Sequence, residues 1–165
     1  IKALAGTHNL LTQSNWVSAP LRAIVEPELT AIYGADRVTL RGPEINLNSR
    51  AVLSFGMAIH ELATNAAKYG AFSNETGKVS LTWMRQDDGD ADEYVFDWSE
   101  TGGPPVTPPE DGGFGSSLIS STIEGSLEGK VEWSWNRDGL RCVMRMPVTS
   151  IIESTHDDLF DLFHA

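Results

Sequence analysis

The sequence predicts a two-layer α+β fold, a mixed and mostly antiparallel sheet covered on one face by helices. Three observations carry that reading. Apolar residues recur at helical spacing before Gly70, the period falls to two in KVSLTWM and EYVFDWSE, and a second period-two hairpin follows a Gly/Pro-rich loop and one further helix. Strands that alternate apolar and polar residues have one buried face, so helices on a single side of the sheet satisfy them. A chain of 165 residues is long enough for one domain with a sizeable core.

Taken in order, IKALAGTHNLLTQ places Ile1, Leu4, Ala5, His8 and Leu11 on one helical stripe, with His8 expected to be packed or partly solvated. That helix opens without a cap, which points to a longer protein whose preceding helix is missing. Ser18 is expected to cap a second helix over Ala19 to Tyr33, with Pro20 in its first turn and Pro27 breaking or kinking it. RVTLRG reads as a short strand with Val38 and Leu40 on one face. Asn48 or Ser49 then caps a long helix to Tyr69, and Gly70 stands where a left-handed cap is wanted.

In the first hairpin Val79, Leu81 and Trp83 share a face with Tyr94, Phe96 and Trp98, and DDGDAD turns between the strands. The second sets Val131, Trp133 and Trp135 against Leu140, Cys142, Met144 and Met146 around NRDG, and ends at Pro147. Between the hairpins, nine of the fourteen residues from Gly102 to Gly115 are Gly or Pro, too many for helix or strand. Loops of that length inside a compact domain are usually functional or disordered. A helix from about Ser116 to Leu127 follows. The tail, SIIESTHDDLFDLFHA, is acidic and amphipathic; it either packs back or frays, or serves as a docking segment.

Twelve basic against twenty-three acidic side chains give a net charge of -11, which excludes general nucleic-acid binding but not a small anion held locally by backbone N-H groups or a cation. No apolar run reaches the length of a membrane span, so no membrane contact by this segment is expected. The lone Cys142 cannot form an intrachain disulfide, and a cytoplasmic setting is the expectation.

On the long helix Val52, Phe55, Ile59, Leu62, Ala66 and Tyr69 should face the sheet, while Ser54, Ala58, Glu61, Asn65 and Lys68 form a second, offset line. That line is either a solvated face or a ligand site. Ala63, Ala66 and Ala67 leave room beside it, and it holds only one acid and one base. Glu61 and Asn65, one turn apart, present oxygens suited to a hard cation such as Mg2+, and Lys68 could neutralise a phosphate. GGFG before a helix offers free N-H donors and the positive end of a dipole, without the lysine-serine pattern of a P-loop. The pieces fit a site for a nucleoside triphosphate and Mg2+.

These residues resemble a known family. HELATNAAKYG is similar to the N box of the GHKL (Bergerat) ATP-binding fold, WSETGG to its first glycine box and GFGSSLI to its second, in the right order. His60 together with Trp98 and Glu100 resembles the HWE subgroup of sensor histidine kinases. The resemblance implies ATP and Mg2+ as cofactors, with Asn65 as magnesium ligand and Glu61 as a second ligand or as a group polarising a water in the metal shell. Lys68 and Tyr69 would contact phosphate and nucleotide. Glu100 would accept a hydrogen bond from the adenine amino group, with Gly102 and Gly103 permitting close backbone approach. Gly113 and Gly115 would border the phosphates, and Phe114 and Ser116 complete the nucleotide-binding set. His60 would bond a phosphate or the lid, or else orient Glu61 or Trp98.

The resemblance further implies three segments: 1–17, the end of a dimerisation helix and its linker; 18–149, the catalytic ATP-binding domain; and 150–165, the acidic tail. The phosphate-accepting histidine would lie upstream of Ile1 on a dimerisation hairpin of the same or a partner protomer. A response regulator and an upstream sensor domain are the other implied partners. The alternatives are a GHKL-type ATPase, an anti-sigma-type serine kinase, or a degenerate scaffold that binds a response regulator.

Overall fold

The computed structural model describes residues 18–110 and 114–153, the side chain of Phe114 excepted. The expected first helix with His8, Gly113 and the tail beyond Glu153 lie outside the described residues. The elements in chain order are β1 (Ser18–Pro20), α1 (Leu21–Tyr33), β2 (Val38–Arg41), β3 (Asn46–Asn48), α2 (Ser49–Lys68), a short 3-10 turn (Ala71–Ser73), β4 (Lys78–Asp87), β5 (Asp92–Thr101), α3 (Phe114–Leu127), β6 (Lys130–Asn136), β7 (Gly139–Pro147) and α4 (Val148–Ile151). Five strands form the main sheet in the order β2-β4-β5-β7-β6, and β1 pairs separately with β3. Only β2 runs parallel to its neighbour, β4; the other pairings in the main sheet are antiparallel.

The expected alternation holds across the sheet. Leu81, Trp98, Cys142 and Trp133 line up in one cross-strand row, and Trp83, Phe96, Met144 and Val131 in the next. The first three residues of each row are buried. Phe55 of α2 meets Phe96 with ring centroids 4.7 Å apart, and the Trp133 indole donates to Ser120 Oγ of α3 at 3.0 Å, so the helices sit on this face. The opposite face carries Ser80, Thr82, Asp97, Ser99 and Arg141. Among the described residues no helix is long and apolar enough to cross a membrane.

Four local expectations are corrected. Ser18 does not cap a helix but lies on β1 opposite Asn48, and α1 begins at Leu21. Pro27 does not end α1: Ile24, Val25 and Leu29 are buried on either side of it, and their packing outweighs one lost backbone bond. Gly70 has φ -116° and is no left-handed cap. Helix α3 starts at Phe114, two residues early, which brings Gly115 into its first turn. The Asn48 cap is as expected, its side chain accepting from Ala51 N at 2.8 Å.

Candidate functional site

Helix α2, about 30 Å long at 1.5 Å per residue, runs from Ser49 to Lys68 and sets the site's position. Val52, Phe55, Ile59, Leu62 and Ala66 are buried as expected, whereas Tyr69 is 70% exposed, because the helix has ended there and its ring leaves the core. The second line is no solvated face. Ser54 and Ala58 are buried, Glu61 and Asn65 half-buried, and only Lys68 is exposed. The line therefore begins inside the protein and rises to the surface over four turns. Elsewhere on the helix, exposure falls on Arg50, Leu53 and Met57.

Where the line emerges, α3 begins. A Cβ on Gly115 would lie 3.0 Å from Nδ2 and 3.4 Å from Oδ1 of Asn65, so the second glycine box and the N box touch at these two residues. Glycine there lets the backbone of the first turn of α3, with its free N-H groups, approach the Asn65 amide. Ser116, next in that turn, is half-buried. Neither Glu61 nor Asn65 makes a side-chain hydrogen bond or ion pair with another described residue. Two half-buried oxygen donors one turn apart and uncommitted to described partners fit a hard cation.

His60 is placed differently. Its Nδ1 lies 3.2 Å from Glu28 Oε2 on α1, tying the two helices together beside Glu61. It makes no hydrogen bond to Trp98 or Glu61. Trp98 is fully buried and belongs to the core, as its place in the hairpin's inward row predicts.

Glu100, at the end of β5, is the unusual group. It is 5% exposed and has no cation partner among the described residues; its Oε1 accepts from Ala71 N at 3.0 Å, and Oε2 accepts no hydrogen bond from a described residue. Burial raises its pKa above the ordinary glutamate value, while the Ala71 N-H and the nearby Trp98 indole pull it back down. The Trp98 N-H is near enough to act electrostatically but has no acceptor in hydrogen-bonding geometry among the described residues. The carboxylate crowds Gly70, where any Cβ would collide with Oε1. That close approach is why glycine follows the helix.

The first glycine box closes around the same place. Gly102 has φ +72°, in the left-handed region that favours glycine, and its carbonyl accepts from Asn74 Nδ2 at 3.1 Å and Thr76 Oγ1 at 3.3 Å. A Cβ on Gly103 would meet Ala71 Cα at 2.7 Å, so its close approach is to protein backbone. Ala71, Asn74 and Arg37 were missed by sequence reasoning. The turn chemistry of SNETG was visible and marks Asn74; nothing marked Arg37. A cleft of about 360 Å³ lined by Asn48, Ser126, Glu128 and Ser150 lies at the opposite end of α2 and shares no residue with this site.

Residues 1–44 match the model of the HWE histidine kinase family. The blue-light-activated histidine kinase of Brucella ovis is 32% identical over 151 residues, 90% of this chain and 31% of the relative. That of Brucella anthropi is 32% identical over 163 residues, 98% of this chain and 33% of the relative. The chain thus spans about a third of the length of these relatives. Among solved structures, the histidine kinase domain of the Erythrobacter litoralis EL346 blue-light-activated histidine kinase superposes with a TM-score of 0.69 at 17% identity, covering 90% of this chain and 72% of that one. Histidine kinase AdeS of Acinetobacter baumannii gives 0.56 at 14% identity, covering 88% and 75%.

The fold is that of a histidine kinase catalytic domain of the GHKL type. By sequence, the chain matches the HWE histidine kinases over residues 1–44 and is similar to blue-light-activated histidine kinases over nine-tenths of its length.

Proposed function

We propose that the chain is the ATP-binding catalytic domain of a sensor histidine kinase, its binding unit spanning 18–149 between a helical linker, 1–17, and an acidic tail, 150–165. The observation that carries the reading is Glu100: a carboxylate only 5% exposed, without a counter-ion among the described residues, one oxygen held by Ala71 and the other accepting no hydrogen bond from a described residue. Such a group costs stability and is retained for a ligand that supplies the missing donor. The amino group of adenine is one. Glu61 and Asn65 would hold the cation, Lys68 and the first turn of α3 the phosphates, and Tyr69 the nucleotide's exposed side. Bound Mg2+ would neutralise charge on the phosphate oxygens.

The protein's share of the chemistry is positioning and electrostatic complementarity. The acceptor in the intact kinase would be a histidine on a dimerisation helix upstream of Ile1, from the same or the partner protomer, with a response regulator receiving the phosphoryl group next. A sensor domain would lie further upstream. The test is a calorimetric titration of ATP with and without Mg2+. Binding strengthened by Mg2+, and an Asn65→Ala variant that loses this dependence, are the expected results; equal binding in both would overturn the ligand assignment.

Glu61, uncommitted to any described partner, also favours a second reading, a GHKL-type ATPase in which it activates water. Steady hydrolysis by the chain alone, lost in Glu61→Gln, would select that reading over phosphotransfer to a supplied dimerisation hairpin.

A further inference from the structure

Between α1 and β2, Arg37 reaches across to the loop that follows α2. Its Nε donates to Gly77 O at 2.9 Å, and its Nη2 donates to Ala71 O at 3.1 Å and to Asn74 O at 2.6 Å. The guanidinium also stands 5.4 Å from the centre of the Phe72 ring, which stacks on Tyr33 of α1 at 3.8 Å. One side chain therefore holds three carbonyls of a seven-residue loop. Only a planar fork with several donors can do this; an ammonium group cannot span them.

Ala71 is where that clamp meets the site. Its carbonyl is held by Arg37 and its N-H by the Glu100 carboxylate. The backbone around it is crowded from three sides: a Cβ on Gly103 would meet its Cα and N, one on Gly77 would meet its carbonyl, and Gly70 precedes it against Glu100. Asn74, whose carbonyl Arg37 also fixes, ties the loop to Gly102 O and folds it through bonds from Gly77 N at 2.7 Å and Thr76 N at 3.2 Å. With the loop fixed by Arg37, the Ala71 N-H is presented to Glu100 in one place. The Glu100 carboxylate then has one orientation, with its free oxygen directed by elimination to whatever else enters.

We infer that Arg37 is a positioning residue for nucleobase recognition, acting through Ala71 on Glu100. This rests on the reading of Glu100 as the acceptor for the adenine amino group. Arg37 itself touches no nucleotide in this scheme.

The experiment titrates ADP and inosine diphosphate, in Mg2+, into the whole chain and into Arg37→Met, Arg37→Lys and Glu100→Leu. Inosine diphosphate carries a 6-oxo group in place of the 6-amino group, so the ratio of its Kd to that of ADP reads the bond to Glu100. A variant with a smaller folded fraction weakens both apparent affinities by the same factor, and the ratio cancels that loss. Expected is a ratio of about ten or more in the parent chain, equivalent to one hydrogen bond to a charged group. It should fall toward one in Glu100→Leu and in Arg37→Met, and Arg37→Lys should not restore it. A parent ratio kept in both Arg37 variants but lost in Glu100→Leu overturns the role of Arg37 and leaves the base reading standing. A ratio near one in the parent, or unchanged in Glu100→Leu, overturns both.

Discussion

Two carboxylates three residues apart on β5 have opposite fates. Asp97 points away from the helices, and Arg141 on the neighbouring strand forks onto it, Nη2 to Oδ2 at 2.6 Å and Nε to Oδ1 at 3.1 Å, with both side chains partly open to water. Glu100 points inward, is almost wholly buried, and among the described residues has one backbone N-H and no cation. The strand's alternation put them on different faces. A carboxylate that water can reach and a guanidinium can pair makes little difference to stability or function. One that is buried and unpaired is unfavourable unless a ligand completes it, so its presence marks a site.

The comparison depends on the inward face being a true core, and the largest expected effect tests that. Phe96, in the row with Trp83 and Met144, is fully buried against Phe55, so Phe96→Ala should destabilise by about 3–5 kcal/mol in urea denaturation. A loss below about 1 kcal/mol would mean the face is loosely packed. Cys142 offers a second readout: burial pushes its thiol up to about 12, so a thiol reagent should label it only through opening, and faster in Phe96→Ala.

Next in size is Glu100→Gln. The amide keeps an oxygen for Ala71 N-H and loses the charge, so adenine nucleotide affinity should drop about tenfold or more while stability at pH 7 does not fall. The sign with pH follows from burial raising the carboxyl's pKa above its ordinary 4.5. The folded state binds this proton more tightly than the unfolded state, so the group's contribution is most favourable below 4.5 and is lost as pH rises through the raised value. Urea midpoints of the parent should therefore decline relative to Glu100→Gln over that window. Parallel curves would show that Glu100 is solvated and the contrast with Asp97 unfounded.

How much of this was legible beforehand follows from the range of each interaction. The two hairpins, their inward rows and the long helix were readable because periodicity is a local record of burial: Leu81, Phe96, Trp98 and Cys142 are where the alternation places them. The boundaries that failed at Ser18 and Gly70 were decided by partners distant in sequence. Ser18 is claimed by Asn48, and Gly70 answers to a carboxylate thirty residues away. Within the site, Asn65 and Gly115 belong to quotable motifs and meet in space. Arg37, His60's partner Glu28, and Ala71 belong to none, since a lone arginine before a strand or an alanine after a helix carries no pattern until the fold supplies its neighbours.

The smallest expected effect falls on Asp97, and it is the one that separates position from identity. Removing its charge with Asp97→Asn breaks the forked pair with Arg141, but the pair sits on the sheet's uncovered face, where water screens both partners. The change should be within about 1 kcal/mol, and a double-mutant cycle with Arg141→Gln should give a coupling of about 0.2–1 kcal/mol that shrinks with added salt. Nucleotide affinity should not move. Because Asp97 and Glu100 share a strand, the same cycle also tests whether the outer ion pair transmits anything to the inner carboxylate: coupling that survives high salt, or a change in ADP affinity, would show that Arg141 holds β5 in the register on which Glu100 depends, and the two faces would then not be independent.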